Sequence, residues 1–287
     1  MQYERPNTME AAIGLLTQAG GAAYVLAGGT DLLVRMKNDA FEADLIVDIK
    51  AISGMGDVRE EGGVFTIGAG VPCAALGENA ALVAAWPGVV EAANLIGSTQ
   101  VQGRCTISGN LCNASPAADS VPAMVAANAQ ARIVGPDGVR TIAVADVPVG
   151  PGKTSLAKGE IIEAIVLPAR VPRAGDAYLR FIPRTEMDIA VVGAAVNLTL
   201  DEAGVVQTAR VALGAVAPNV ILSEEAAQAL IGTRLDGAAL AALEAACSDA
   251  CNPIDDKRGT IEFRKQVAGV LARRAAQSAY QRAGGTS

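Results

Sequence analysis

The stretch AYVLAGGTDLLVRMKN, from Ala23 to Asn38, places two glycines and two short oxygen-bearing side chains between two apolar runs. The first run has the composition of a short buried strand, and the second is typical of the start of a helix. Such a junction is either an ordinary turn or a loop whose backbone N–H groups hold a phosphate. These residues alone leave both interpretations open.

A second loop of similar chemistry, TISGN, spans residues 106–110. Glycine lets a backbone approach a phosphate closely, and hydroxyl and amide side chains can donate hydrogen bonds to it. Neither loop has the Walker or Rossmann glycine spacing. Asp31 in the first loop would repel a phosphate unless its side chain capped the following helix. Two such loops in one chain would suit a pyrophosphate that is held from both sides.

The pattern outside the loops predicts an α+β protein. Asn7 and Glu10 predict the capped start of a first helix, and further helices are expected over about 73–86 and 88–96. The segment 97–120 is polar, glycine-containing and without clear periodicity, which is uncommon in a compact domain unless the segment is functional. Short strands are expected at 23–27, 45–50, 63–70 and 159–168, with a hairpin around 136–138.

The pattern changes near residue 175. Three long apolar or alternating runs follow, which predict a three-stranded antiparallel sheet, and helices are expected over about 223–231, 236–249 and 259–282. We therefore expect one domain over 1–175, with lobes of about 1–57 and 58–175, and a second domain over 176–287.

Composition excludes several functions. The 287 residues contain no histidine, so Ser-His-Asp and Cys-His catalysis and histidine-containing zinc or iron sites are excluded within this chain. A formal net charge of −7 with no basic stripe is not expected of a nucleic-acid binder. The five cysteines have no disulfide-like or zinc-like spacing, and we expect them to be buried thiols without a metal. If the chain takes part in chemistry, a cofactor is expected to supply it.

The N-terminal sequence lacks the pattern of a secretory signal, since Glu4 and Glu10 fall where a basic and then an apolar segment would be needed. No apolar run reaches the ~20 residues of a membrane span. We expect a cytoplasmic protein without a membrane span.

Four segments together resemble one known family. LAGGTDLLVRMKN and TISGNLCNASPAADSVPAMVAANAQARI are similar to the two flavin signatures of the FAD-binding medium subunit of the molybdenum hydroxylases, which include xanthine dehydrogenase and bacterial carbon monoxide dehydrogenase. RTEMDIAVVGAAVNL (184–198) and RGTIEFRKQVAGVLARRA (258–275) also agree, so the resemblance extends over nearly the whole chain. It implies a two-lobed flavin domain of the vanillyl-alcohol-oxidase type, followed by a small α+β domain with a three-stranded antiparallel sheet and helices.

The resemblance also implies an FAD site. The two loops would hold the pyrophosphate and ribityl chain, Asp119 would accept hydrogen bonds from FAD hydroxyls, and the segment 181–184 would lie near the isoalloxazine ring. Glu160–Ile162 would border the adenine. For Arg184 the alternative is an ion pair with Glu186 or Asp188. The implied FAD contacts are Ala27, Gly28, Gly29, Thr30, Asp31, Leu32, Leu33, Gly97, Thr106, Ile107, Ser108, Gly109, Asn110, Asp119, Ile182 and Arg184.

Ser108 departs from the family pattern, because many relatives have glycine there. A serine with a positive φ would cost about 1 kcal/mol without abolishing binding, and its hydroxyl could add a phosphate contact.

The resemblance implies that the chain transfers electrons within a heterotrimer. It implies no catalytic side chain in this chain. A large subunit would hold molybdopterin and a small subunit two iron–sulfur clusters, and the assembly would be a dimer of heterotrimers. Electrons would pass through FAD to NAD⁺, a quinone or oxygen. Two alternatives stay open. One is a free-standing FAD oxidase or dehydrogenase of the same fold, and the other is a non-catalytic assembly subunit in which both loops are ordinary turns.

Overall fold

The first layer of the fold is a parallel three-stranded sheet in the order β1-β3-β2. The structure, a computed structural model, describes residues 1–184 and 187–286. The strands of this sheet are β1 (Gln2–Glu4), β2 (Ala23–Leu26) and β3 (Leu45–Asp48), and the helices between them are α1 (Met9–Gln18) and α2 (Leu32–Lys37). Crossover helices are what parallel strands require, and β3 is buried along its whole length.

The second layer is an antiparallel five-stranded sheet in the order β4-β5-β10-β6-β7. Its strands are β4 (Val58–Glu61), β5 (Val64–Gly68), β6 (Gln130–Gly135), β7 (Gly138–Ala143) and β10 (Ile161–Leu167). A small hairpin, β8 (Pro148–Gly150) and β9 (Lys153–Thr154), lies between β7 and β10 in sequence. The predicted hairpin around residues 136–138 is confirmed as the β6–β7 pair.

Six short helices connect β5 to β6. They are α3 (Cys73–Glu78), α4 (Ala80–Ala85), α5 (Pro87–Ala93), α6 (Thr99–Gln102), α7 (Ile107–Cys112) and α8 (Ser120–Ala126). The helices pack with the sheet around a core that includes Ile67, Leu76 and Met124. α8 is buried at every position, so it is an internal element of the core.

The third layer is an antiparallel sheet of four strands in the order β11-β12-β13-β14. Its strands are β11 (Ala174–Phe181), β12 (Val192–Leu200), β13 (Val206–Gly214) and the two-residue β14 (Ile221–Leu222). The helices α9 (Glu224–Gln228), α10 (Gly237–Ala250) and α11 (Ile261–Arg282) follow, and α11 packs on β11 and β12. One face of the sheet contributes to the core shared with these helices, and Tyr178, Ala195 and Ala212 contribute to the core around α8.

Four predictions about elements need correction. The cap of α1 is Thr8, whose hydroxyl accepts from Ala11 N at 3.2 Å, and not Asn7. The helix expected over 73–86 is divided by Asn79, whose side chain caps α4. The segment 97–120 contains α6 and α7, and the sheet expected to have three strands has a short fourth one. The α+β class itself is confirmed.

No helix within residues 1–184 and 187–286 has both the length and the apolar character that crossing a bilayer requires.

Candidate functional site

The two predicted loops line one cleft of about 420 Å³. The first loop connects β2 to α2, and the second is the start of α7. Ten of the implied FAD contacts line the cleft: Ala27, Gly28, Gly29, Thr30, Asp31, Leu32, Thr106, Ser108, Gly109 and Asn110. The fold thus brings together loops that are distant in sequence.

Glycines in the first loop allow the two loops to pack backbone to backbone. A Cβ atom on Gly28 would lie 2.1 Å from the carbonyl oxygen of Arg104 and 2.9 Å from Cys105 Cα. Gly29 has φ of +78°, a left-handed conformation that suits glycine. Both positions therefore need glycine, one for close approach and the other for its backbone angle.

A lysine in the short turn after β3 holds the first loop in place. Lys50 Nζ donates to the carbonyl oxygen of Ala27 at 2.9 Å and pairs with Asp48 at 2.7 Å. Tyr3 Oη donates to the same Asp48 carboxylate at 2.7 Å. These contacts connect the first loop to β1 and β3.

The second loop is organised by a helix cap. Thr106 Oγ1 accepts from Gly109 N at 2.9 Å, which satisfies one N–H of the first turn of α7. A Cβ atom on Gly109 would lie 2.9 Å from that oxygen, so glycine suits the contact. The Thr106 hydroxyl proton is not used by this bond and is available to another acceptor.

Ser108 has a buried hydroxyl that finds no partner among the described residues. The residue is 3% exposed, lines the cleft, and its Oγ makes no hydrogen bond. Its φ is not positive because it lies within α7, so the strain considered for a left-handed serine does not arise. A buried hydroxyl without a partner is unfavourable, and an acceptor in the cleft would satisfy it.

Asp31 occupies the N-cap position of α2 but makes no capping hydrogen bond, contrary to the role considered for it. Instead its Oδ1 accepts from Asn113 Nδ2 at 3.3 Å, a contact between the ends of the two loops. Burial raises the pKa of Asp31, and the nearby Arg35 opposes that shift. A group that disfavours negative charge is compatible with an anion close by.

Six of the implied contacts do not line this cleft. Ile107 is buried in the core, Leu33 is 49% exposed on α2, and Gly97 has φ of +66° just before α6. Ile182 and Arg184 follow β11. Arg184 Nε lies 3.0 Å from Asp188 Oδ2, one of the two ion pairs considered for it; Glu186 lies outside the described residues.

The sixth, Asp119, lies immediately before α8. It is 7% exposed, and its two carboxylate oxygens accept from Tyr178 Oη at 2.9 Å and from Arg180 at 2.6 Å. Burial raises the pKa of Asp119, although the Arg180 charge and the Tyr178 hydrogen bond act in the opposite direction.

The segment Glu160–Ile162 also lines the cleft. Glu160 is held by Arg140 through two hydrogen bonds of 2.6 and 2.7 Å, and this partner lowers the pKa of its carboxyl.

Sequence reasoning missed part of the lining. These residues lie in or beside β2, α2, β3, β5, the helical connection and β9: Tyr24, Val25, Arg35, Ile49, Ala69, Ile96, Cys105, Cys112, Asn113, Gly152 and Leu156. Those adjacent to a loop, such as Arg35 and Asn113, could have been found by extending each motif by one helical turn. No feature of the sequence around Gly152 and Leu156 indicated that these residues line the cleft.

The cysteines are all free thiols, and four are buried. Cys112 is exposed at the cleft, which corrects the expectation for that residue. In the part of the chain that the structure describes, no three His, Cys, Asp or Glu side chains come together as a candidate metal site.

Comparison with known proteins shows which family this chain belongs to. The model described as "FAD binding domain in molybdopterin dehydrogenase" matches residues 1–170, and that of the "CO dehydrogenase flavoprotein C-terminal domain" matches residues 177–279. The chain belongs to the FAD-binding subunits of the molybdenum hydroxylases. The resemblance inferred from the four segments is therefore confirmed.

Relatives of this flavin-subunit family match over nearly their full length. The chain is 36% identical to the carbon monoxide dehydrogenase medium chain of Afipia carboxidovorans, over 98% of this chain and 97% of that one. It is 30% identical to the xanthine dehydrogenase FAD-binding subunit of Escherichia coli O157:H7, over 99% and 97%. A chain of the solved carbon monoxide dehydrogenase of Hydrogenophaga pseudoflava superposes with a TM-score of 0.94, at 33% identity and 98% coverage of both chains.

Proposed function

We propose that this chain binds one FAD and passes electrons from an iron–sulfur subunit to an external acceptor, which is NAD⁺, a quinone or oxygen. A large molybdopterin subunit completes the heterotrimer, two heterotrimers associate, and the complex works in the cytoplasm. We also propose that the chain is divided into a flavin domain over 1–175, with lobes of about 1–57 and 58–175, and a second domain over 176–287.

One observation carries the proposal: the cleft between two glycine-containing loops is lined by Ser108, whose buried hydroxyl finds no partner within residues 1–184 and 187–286. A pyrophosphate offers acceptor oxygens to such a donor. The close approach at Gly28 supports the same fit, since it brings the first loop against the backbone of Arg104 and Cys105, directly before the second loop. When bound, FAD would supply the electron relay.

The residues divide the binding task between them. In the proposal, the backbone of Ala27–Leu33 and the hydroxyls of Thr106 and Ser108 hold the pyrophosphate, with Asn110 beside the ribityl chain. Glu160–Ile162 border the adenine. Ile182 and Arg184 lie toward the isoalloxazine ring, and Ile107 and Gly97 shape the loops that carry these contacts.

The test is the flavin content of the purified chain, alone and co-expressed with candidate large and small subunits. We expect a flavin absorbance spectrum and release of about one FAD per chain on heating, together with co-elution of three subunits. A colourless protein in both preparations that does not take up added FAD would contradict the proposal. Reduction of the bound flavin by a small organic donor, with no partner subunit present, would instead favour a free-standing dehydrogenase.

A further inference from the structure

The cleft between the two loops has a single cationic side chain in its lining. Among the described residues that line it, Arg35 is the only lysine or arginine, and Asp31 and Glu160 are the only acids. Arg140 pairs with Glu160 at 2.6 Å and compensates that charge. Arg35 lies near enough to Asp31 to act against the rise in pKa that burial causes there. Any anion in this cleft therefore depends on Arg35 for a cationic side chain.

The helix backbone directs Arg35 toward the first loop. Arg35 lies one turn after Asp31, and its backbone N–H donates to the Asp31 carbonyl oxygen at 2.9 Å. Residues four apart share one face of a helix, and helical side chains lean toward the N-terminus of their helix. The Arg35 side chain therefore leans back toward the loop that precedes α2, in agreement with its place in the cleft lining.

Two aromatic rings support the guanidinium beside the cleft. Arg35 Cζ lies 5.1 Å from the centroid of the Phe41 ring, which is a cation–π distance. Phe41 packs against Tyr24 with ring centroids 4.5 Å apart, and Tyr24 itself lines the cleft. Within residues 1–184 and 187–286, no carboxylate forms a salt bridge with Arg35. An aromatic face orients a guanidinium without using its N–H donors, so these donors are available to an anion.

We propose that Arg35 is a binding residue for the phosphate groups of FAD, held over Phe41 so that its guanidinium reaches the pyrophosphate beside the first loop. The role of Arg35 rests on the proposed FAD site and adds a cationic side chain to it. The two loops contribute backbone N–H groups and hydroxyls, whereas Arg35 contributes charge and paired N–H donors. Because Arg35 is exposed to solvent, its contribution should depend on salt concentration.

The same helix provides a matched control. Lys37 is also exposed, and both cations lie in the last turn of α2, where positive charge interacts favourably with the helix dipole. Lys37 does not line the cleft. Arg35→Gln and Lys37→Gln therefore remove the same charge and a similar interaction with the helix, but only Arg35→Gln removes a cation from the cleft.

The experiment titrates the apoprotein of the full chain with FAD at about 0.05 M and about 0.5 M NaCl. We expect Arg35→Gln to weaken FAD binding about tenfold at the lower salt concentration, because charge-assisted hydrogen bonds are lost. The ratio of wild-type to variant affinity should shrink to about threefold at the higher concentration, since salt screens an exposed contact. Lys37→Gln should keep FAD affinity within about twofold of the wild type at both concentrations.

Two further variants separate the charge of Arg35 from the shape of the helix. Arg35→Lys keeps the charge without the planar fork, and its FAD affinity should stay within about threefold of the wild type. Phe41→Leu keeps the charge but removes the ring beneath it, and it should weaken FAD binding about threefold. Phe41→Leu also tests the role of Arg35 if Arg35→Gln does not fold, and unchanged FAD affinity in Phe41→Leu would show that the ring does not hold the guanidinium for this contact.

The role of Arg35 is overturned if Arg35→Gln binds FAD as tightly as the wild type at both salt concentrations, and the FAD site itself would then still stand. A loss that is independent of salt and is not restored by Arg35→Lys would also overturn it, because the substitution would then act through the shape of α2. An equal loss in Lys37→Gln would assign the effect to the general field of the helix. A wild-type chain that binds no FAD would overturn the proposed function as well.

Discussion

The two loops of the cleft reach the same place by different means. The loop around Gly28 and Gly29 depends on missing side chains, because one glycine packs against a neighbouring backbone and the other has a positive φ. The loop around Thr106 and Ser108 depends on side-chain hydroxyls, one used as a helix cap and one that finds no partner in the part of the chain that the structure describes. Changes in the first loop should therefore damage the shape of the cleft, whereas changes in the second should alter its chemistry.

The largest expected effect is that of Gly28→Ala. The new methyl group would lie 2.1 Å from a backbone oxygen, which cannot rotate away as a side chain would. We expect a loss of about 3 kcal/mol in the free energy of unfolding, because overpacking at a fixed contact separates the two loops. FAD should not be retained through purification. Denaturant unfolding and flavin content measure both effects.

Gly56→Ala is the matched control for this change. A Cβ atom at Gly56 would meet nothing within 4 Å, and the φ angle there is not positive. This variant should keep wild-type FAD content. Equal behaviour of the two alanine variants would mean that the first loop does not depend on close approach.

The next largest effect is expected at Thr106, and it is best seen by comparing two threonines that each cap a helix. Thr106→Val and Thr8→Val each remove a hydroxyl that accepts from a backbone N–H, at 2.9 and 3.2 Å. Each should lower the free energy of unfolding by about 1 kcal/mol. Only Thr106→Val should also weaken FAD binding, by about 30-fold, because Thr106 lines the cleft and its hydroxyl proton is available to a ligand acceptor. Titration of the apoprotein with FAD separates the two, and weakening by both would reduce the effect at Thr106 to helix stability.

These comparisons show what the sequence could and could not predict. The two loops were found from Gly28-Gly29 and from Thr106–Asn110, but such residues also suit ordinary turns, and the resemblance to the flavin signatures supplied the FAD assignment. That both line one cleft could not be derived from spacing, since it depends on how the parallel sheet and the connection between β5 and β6 pack. The periodic strands of the third layer were predicted for the same reason that they fold: alternation separates the two faces of a sheet.

The wrong predictions about helices have local causes. Asn7 and Thr8 are both good caps and adjacent, so the sequence did not distinguish them. Asn79 divides a run that is otherwise helical, and α6 and α7 are too short to produce a periodic signal. The hydrogen bonds from Tyr178 and Arg180 to Asp119 join residues that are 59 and 61 positions apart in the sequence. No local sequence pattern indicates such a contact, and only the three-dimensional structure shows it.

Ser108→Ala should have opposite effects on the free and the flavin-bound protein. Without a ligand, the variant removes a buried hydroxyl that has no partner, and the free energy of unfolding should rise by about 1 kcal/mol. With FAD, it removes a donor to a charged acceptor, and affinity should fall about tenfold. Thermal unfolding with and without saturating FAD measures both signs. A lower stability of the free variant would indicate that this hydroxyl is satisfied by water.

The smallest expected effect is the pH dependence that Asp31 gives to the first loop, since the second loop contains no acidic residue. Burial raises the pKa of Asp31 in the free protein, and a bound pyrophosphate would raise it further by repulsion. Binding would then take up a proton, so FAD affinity should fall as pH rises from the free to the bound pKa, by about threefold in total. Asp31→Asn should remove this slope, and Asp137→Asn, in the turn between β6 and β7, should keep it. An unchanged slope in Asp31→Asn would show that the pyrophosphate lies away from Asp31, and the second loop would then be its main support.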